Sequence, residues 1–141
     1  MHRIYSSHNH HIKNPHAFLD ALESPCLLIQ TDKKQVVTAN KKACELFGKD
    51  LAQIEGRSGG QVIDCVHAFN VESSCKNINC VNCKLGNAVI KTFTTAQSQE
   101  GVQTLLDIKK NSEIKLFSMQ LSTEKIGDLV LVIVDNYKKI T

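Results

Sequence analysis

The sequence predicts an α+β domain with an antiparallel sheet. Three observations carry this: two short strand-like runs come first, a helical middle follows, and three longer strand-like runs close the chain. Runs of strands separated from runs of helices give α+β rather than alternating α/β architecture. The chain has 141 residues with 42% hydrophobic and 22% charged, a globular composition. A single domain of this size buries roughly two-thirds of its unfolded surface and needs no obligatory staples.

Taken in order, residues 1–14 form a polar arm, and His2, His8, His10, His11 and His16 crowd the start of the chain. A solvated tail is the plain reading, loose metal binding the sharper one. Asn14 suits an N-cap and Pro15 the first helical position, with Phe18, Leu19 and Leu22 as an apolar stripe. Ser24-Pro25 ends that helix, because the residue before proline avoids helical geometry. CLLIQTD (26–32) and QVVTA (35–39) read as hairpin strands about Asp32-Lys33-Lys34. At Asn40 the period changes: Ala43, Leu46 and Phe47 lie at helical spacing and Gly48 suits a C-terminal cap. DLAQIEG (50–56) adds a helical turn, and GRSGG (56–60) reads as a flexible break.

Residues 61–82 are the least regular. Leu85, Ala88, Val89 and Phe93 then share one helix face. VQTLLDIKK (102–110) and EIKLFSMQL (113–121) flank Asn111-Ser112 as a hairpin, and DLVLVIVD (128–135) is apolar on both faces, as a central strand should be.

The longest apolar run, Leu129 to Val134, falls far short of the about 20 residues of a membrane-spanning helix. The first residues, MHRIYSSHNHH, lack the apolar stretch of a secretory signal. A cytoplasmic location without membrane insertion is expected. Net charge is +3, spread as eight bases and six acids in residues 1–60 and nine and eight in 61–141. With no basic stripe and no Trp, direct nucleic-acid binding is not expected.

Six cysteines without an export signal read as thiols or metal ligands before disulfides. Cys65, Cys75, Cys80 and Cys83 fall within nineteen residues. Cys80-Val-Asn-Cys83 is a CxxC, whose two thiolates can bite one metal ion while the chain turns. Four thiolates complete a zinc site or hold an iron–sulfur cluster. The other spacings match no standard zinc-finger or ferredoxin pattern. His67 offers a Cys3His set, or an imidazole that orients a ligand by hydrogen bonding. A reversible disulfide and inert buried thiols stay open as alternatives. Cys26 and Cys44 read as packing residues.

The run ALESPCLLIQTDKKQVVTANKKACELFGKD, followed by LAQIEGRS, resembles the opening of a PAS domain, a sensory module of bacterial kinases, cyclases and transcription regulators. LVLVIVDNYKKIT resembles its last strand and loosely matches the junction to an effector. The likeness covers about residues 15–141. It implies a five-stranded antiparallel sheet in the order 2-1-5-4-3, with helices cupping one face and ligands held between. It also implies dimerisation, often through the helix before the first strand, so a homodimer is expected. Some PAS domains hold an iron–sulfur cluster on four cysteines in two CxxC pairs; this chain has one such pair, which keeps zinc equally open. Flavin is not expected, because IDCVHAF does not match the NCRFLQ type of motif. Haem is not expected either, since the helix near 85–93 has no His.

Three functions compete. The first is a signal-input module that senses redox state, metal or a small ligand through the Cys-rich segment, passing the change through the sheet to an effector domain or partner signalling protein. The second is an interaction module stapled by structural zinc. The third is a small thiol oxidoreductase using Cys80 and Cys83; no paired carboxylates, Ser/His arrangement or phosphate loop supports it, so the domain itself is not expected to be an enzyme. The chain stops where a PAS effector linker would begin, which fits either an excised sensor or a complete small protein.

Overall fold

A computed structural model describes residues 15–33, 35–66 and 83–140. The His-rich arm at 1–14 lies outside the described residues, as do His67, Cys75 and Cys80. Helix α1 (Pro15–Asp20) precedes the hairpin β1 (Cys26–Gln30) and β2 (Gln35–Ala39). The helices α2 (Lys41–Phe47), α3 (Leu51–Ile54), α4 (Gly59–Ile63) and α5 (Lys84–Thr95) follow. The strands β3 (Gln99–Lys110), β4 (Glu113–Ile126) and β5 (Leu129–Lys139) end the domain. The sheet is antiparallel throughout, in the order β2-β1-β5-β4-β3.

Strand alternation sorts the core into two faces. Leu27, Ile29, Val36, Leu106, Ile108, Met119, Leu121, Val130, Val132 and Val134 meet Ala43 and Phe47 of α2, Ile54 of α3, Val62 and Ile63 of α4, and Leu85, Ala88 and Val89 of α5. On the opposite face Cys26, Leu28, Ile126, Leu131 and Ile133 meet Leu19, flanked by Phe18 and Leu22. Helix α1 therefore packs on the other side of the sheet from α2–α5. Of its apolar stripe, Leu19 is fully buried on the sheet and Phe18 and Leu22 are partly buried beside it.

Several helix ends follow from single residues. Gly48 takes the left-handed conformation, φ 67°, and its N–H closes α2 on Cys44. Asn111 and Ser112 both have positive φ, the geometry of a two-residue hairpin turn matched to strand twist. The stretch read as a flexible break is instead the start of α4. Ser58 accepts from the Gln61 N–H while the Gln61 side chain accepts from the Ser58 N–H. This capping box outweighs the poor helix propensity of two glycines.

Asn40 joins three elements. Its Oδ1 accepts from the N–H groups of Cys26 and Ala43, both at 3.0 Å. Its Nδ2 donates to the carbonyls of Leu19 at 3.0 Å and Ser24 at 2.8 Å. The side chain is buried, with the residue 1% exposed, so three of these bonds are shielded from water and the one to Ser24 is partly so. Replacement by Ala strands the Cys26 and Ala43 N–H groups and takes one of two donors from each of the Leu19 and Ser24 carbonyls. Asn40→Ala should therefore cost about 3 kcal/mol in urea unfolding, more than an ordinary helix cap.

Candidate functional site

The site is built from the end of α4 outward. Segment 56–65 is bonded to both edges of the sheet. At one end Gly56 N–H donates to the Val36 carbonyl (2.9 Å) and Val36 N–H to the Arg57 carbonyl (2.7 Å), covering β2. At the other, Lys109 N–H donates to the Asp64 carbonyl (2.9 Å) and Cys65 bridges Ile108, covering part of β3. The chain between straps the helix-facing side of the sheet from edge to edge, and exposed pairing groups on both edge strands are reduced.

Asp64 fixes the far end of this strap. It caps α4 in the left-handed region, φ 63°, which Asp tolerates better than most residues. Its carboxylate takes a hydrogen bond from Lys49 Nζ at 2.7 Å and has Lys110 Nζ at 3.9 Å. Both partners of the Lys49 pair are mostly buried, so it is screened less than a surface ion pair. The loop before α3, the strap and the β3–β4 hairpin are thus joined at one carboxylate.

Cys65 follows immediately and is buried in the helix-side core. Cys83 packs, half-buried, against that same core at the start of α5. The structure therefore sets the first and last cysteines of the cluster on one core. The ligand set expected from sequence is completed only by Cys75, Cys80 and His67, which lie outside the described residues. Among the described residues no three His, Cys, Asp or Glu side chains are grouped to hold a metal. Cys26 and Cys44 occupy packing positions. Cys26 is fully buried under α1, its Sγ–H donating to the Ser24 carbonyl at 3.2 Å. Burial, with Asp20 and Asp50 nearby, pushes the Cys44 thiol up, which keeps it a poor nucleophile.

One residue at the site was not foreseen. Tyr137 packs against the helix-side core, edge-on to Phe47 at 5.5 Å and stacked on Phe117 at 4.9 Å between ring centroids. Its hydroxyl oxygen is buried and has no hydrogen-bond partner among the described residues. Burial, with lesser contributions from Asp64 and Cys65, pushes its pKa up to about 12. The sequence gives no hint of this, since Tyr137 sits in a polar run after the apolar part of β5.

A raised phenol pKa makes stability depend on pH. Below the ordinary value near 10 both folded and unfolded Tyr137 are protonated and the stability is fully present. As pH rises from about 10 to about 12, the unfolded chain ionises first and stability is lost. Tyr137→Phe should remove that component: the difference in urea stability between wild type and variant should stay level up to pH 10 and shift in favour of the variant above it.

Residues 16–81 match the PAS domain family. No curated protein matches the sequence. Among solved structures, a LOV protein from Rhodobacter sphaeroides is similar at 15% identity with a TM-score of 0.56, over 88% of this chain and 63% of its own. The PAS domain of nitrogen regulation protein NR(II) from Vibrio parahaemolyticus is similar at 18% identity and TM-score 0.52, over 92% of this chain and all of its own. A domain of a sensory box sensor histidine kinase/response regulator from Geobacter sulfurreducens is similar at 11% identity and TM-score 0.53, over 85% and 89%. This chain thus spans under two-thirds of the Rhodobacter protein's length. None of the described helices is long and apolar enough to cross a membrane. The family match covers residues 16–81, and the strand order expected for that family is carried through to β5, so the chain has the fold of a PAS domain.

Proposed function

We propose that this PAS domain is the input module of a bacterial signal-transduction protein, and that it senses redox state or metal through Cys65, Cys75, Cys80 and Cys83. The observation that carries the reading is the placement of Cys65 and Cys83. Both ends of the Cys-rich segment rest on the core that joins the helices to the sheet, so a change in ligation at the thiolates bears directly on that packing. Cys83 also precedes the first turn of α5, where main-chain N–H groups favour negative charge. His67 serves as an alternate ligand or as a donor that orients a thiolate. The domain passes its state to an effector domain or a partner protein and performs no catalysis itself.

The metal is zinc or an iron–sulfur cluster, and the two give different biology. A cluster makes the domain an oxygen or redox sensor. Zinc staples an irregular segment, supplying on the order of 10 kcal/mol of binding free energy to folding. Metal and sulfide analysis of anaerobically purified protein, with its visible spectrum, distinguishes them. Iron with labile sulfide and a brown colour establishes the redox sensor, and one zinc per chain without colour the staple. Cys80→Ser and Cys83→Ser should each abolish stoichiometric metal; full metal content in both would remove the Cys-ligated site.

A homodimer is part of this proposal, and a surface other than α1 supports it. Leu105, Ile114 and Ile140 are 66%, 57% and 48% exposed. Leu105 alternates with the inward Leu106, Ile114 pairs with Lys109, and the Ile140 N–H donates to the Leu116 carbonyl. By strand alternation all three lie on the sheet face away from α2–α5, beside the area that α1 covers. Exposed apolar side chains gathered on one face mark an interaction surface. Leu105→Lys should shift the protein from dimer to monomer in light scattering after size-exclusion chromatography.

A further inference from the structure

Strand β5 changes face near its end. Val130, Val132 and Val134 point to the helices, so strict alternation would put Tyr137 on the opposite side. The pairing with β4 skips one residue there: Leu121 pairs with Val134, but Gln120 pairs with Asn136. Asp135 is the extra residue of a bulge, and Ser122 Oγ donates to its carboxylate at 2.6 Å. Bulges re-aim side chains. This one turns Tyr137 inward, edge-on to Phe47 of α2 and stacked on Phe117 of β4. It sends Asn136, Lys138 and Ile140 to the α1 face.

The segment beyond the bulge has two pairings open to it. β1 follows β5 only as far as Ile133, with one more bond from the Val134 N–H to the Pro25 carbonyl at 2.8 Å. From Asp135 on, the strand is paired with β4 alone among the described residues, so a slip there breaks no second ladder. Taking Asp135 into the ladder opposite Gln120 sets Tyr137 opposite Ser118 and Lys139 opposite Leu116. Every side chain from Asn136 on then changes face: Tyr137 moves to the α1 face and Ile140 leaves it. Two contacts favour the bulged register, the packing of the Tyr137 ring and the Ser122–Asp135 bond. One feature opposes it: the Tyr137 hydroxyl is buried without a hydrogen-bond partner among the described residues, a cost the slipped register relieves.

We infer that the end of β5 is a one-residue register switch, with Ser122 and Asp135 as its latch and Tyr137 as its anchor on α2. Whatever moves Phe47 away from the Tyr137 ring weakens the bulged register, and the strand then slips by one residue. The slip brings Lys138 to the helix side, where Lys139 already lies exposed opposite Phe117, so its charge stays in water. It also trades Ile140 for Tyr137 on the face that carries Leu105 and Ile114, so the register sets the composition of an association surface. That consequence rests on the homodimer proposed above; the register change itself does not.

Residue-resolved amide exchange on the full chain reads the register from which N–H groups are protected. In the bulged register those of Asn136, Lys138 and Ile140 point to β4, as the Ile140–Leu116 bond shows; in the slipped one those of residues 137 and 139 do. Ser122→Ala removes a hydrogen bond to a carboxylate and should speed exchange at 136, 138 and 140 by about tenfold. The three should change equally, since one slip releases them together. Deleting Asp135 leaves no residue to take in, so Ser122→Ala in that background should change the same amides by less than about twofold. Exchanging two residues, Asn136→Tyr with Tyr137→Asn, should move protection to 137 and 139, because the ring then faces inward only after the slip. Acceleration graded toward residue 140 in Ser122→Ala would overturn the switch, since a fraying end gives that pattern. So would an exchanged variant that gains no protection at 137 and 139. Light scattering should show a changed dimer fraction in the exchanged variant. An unchanged fraction with protection moved would overturn the link to association, while Leu105→Lys tests the dimer by itself.

Discussion

The fold depends on one buried amide. Asn40 ends β2, caps α2, receives the first N–H of β1 and holds the carbonyls of Leu19 and Ser24. An apolar residue in its place leaves the buried N–H groups of Cys26 and Ala43 without an acceptor and weakens the bonding of the Leu19 and Ser24 carbonyls. The position of α1 on the far face of the sheet follows from the same bonds. The Leu19 and Ser24 carbonyls fix where the chain leaves α1 and enters β1, and the apolar stripe of α1 then falls on Leu28, Leu131 and Ile133. Hydrophobic burial supplies the larger free energy, but it is not directional. The amide selects which of several ways of burying the stripe is adopted.

The strap closes what Asn40 begins. A five-stranded sheet has two edges, and segment 56–65 bonds to both. Its two ends are secured differently. At β2 main-chain bonds hold it, next to the Thr38 hydroxyl that donates to the Glu55 carboxylate, while at β3 the main chain is backed by the Asp64 carboxylate between Lys49 and Lys110. The electrostatically secured end is also the one that leads into the Cys-rich segment. An ion pair that is partly shielded from solvent thus holds the main chain next to Cys65.

Much of this was legible in the residues, and the exceptions have physical reasons. Asn40, Gly48 and the Asn111-Ser112 turn announce themselves because each needs a side chain or a backbone freedom that few residues supply. QVVTA is a strand at the predicted bounds, 35–39. Helix α4 was missed because Gly59 and Gly60 suggest a break; the signal that could have found it is Ser58 followed three residues later by Gln61. Strand β4 runs on to Ile126 and β5 to Lys139, past their apolar stretches, because tertiary pairing extends strands into polar residues that local pattern assigns elsewhere. The bulge at Asp135 could not be read at all. It is a property of register between two strands, and alternation alone assigns Tyr137 to the wrong face.

The two faces of the sheet divide the work of the domain. The α1 face is apolar in its core and carries the exposed side chains Leu105, Ile114 and Ile140. On the other face, apolar packing is interrupted near one end by Asp64, Lys49, Cys65 and the Tyr137 hydroxyl. Polar groups in such a place cost free energy unless each is satisfied. Asp64 and Lys49 satisfy one another, whereas the Tyr137 hydroxyl is buried with no hydrogen-bond partner among the described residues. A residue fully satisfied in one arrangement resists change, as Asn40 does. Among the described residues, the buried polar side chain that fixes the fold, Asn40, and the one left without a hydrogen-bond partner, Tyr137, are thus different groups with different consequences for stability.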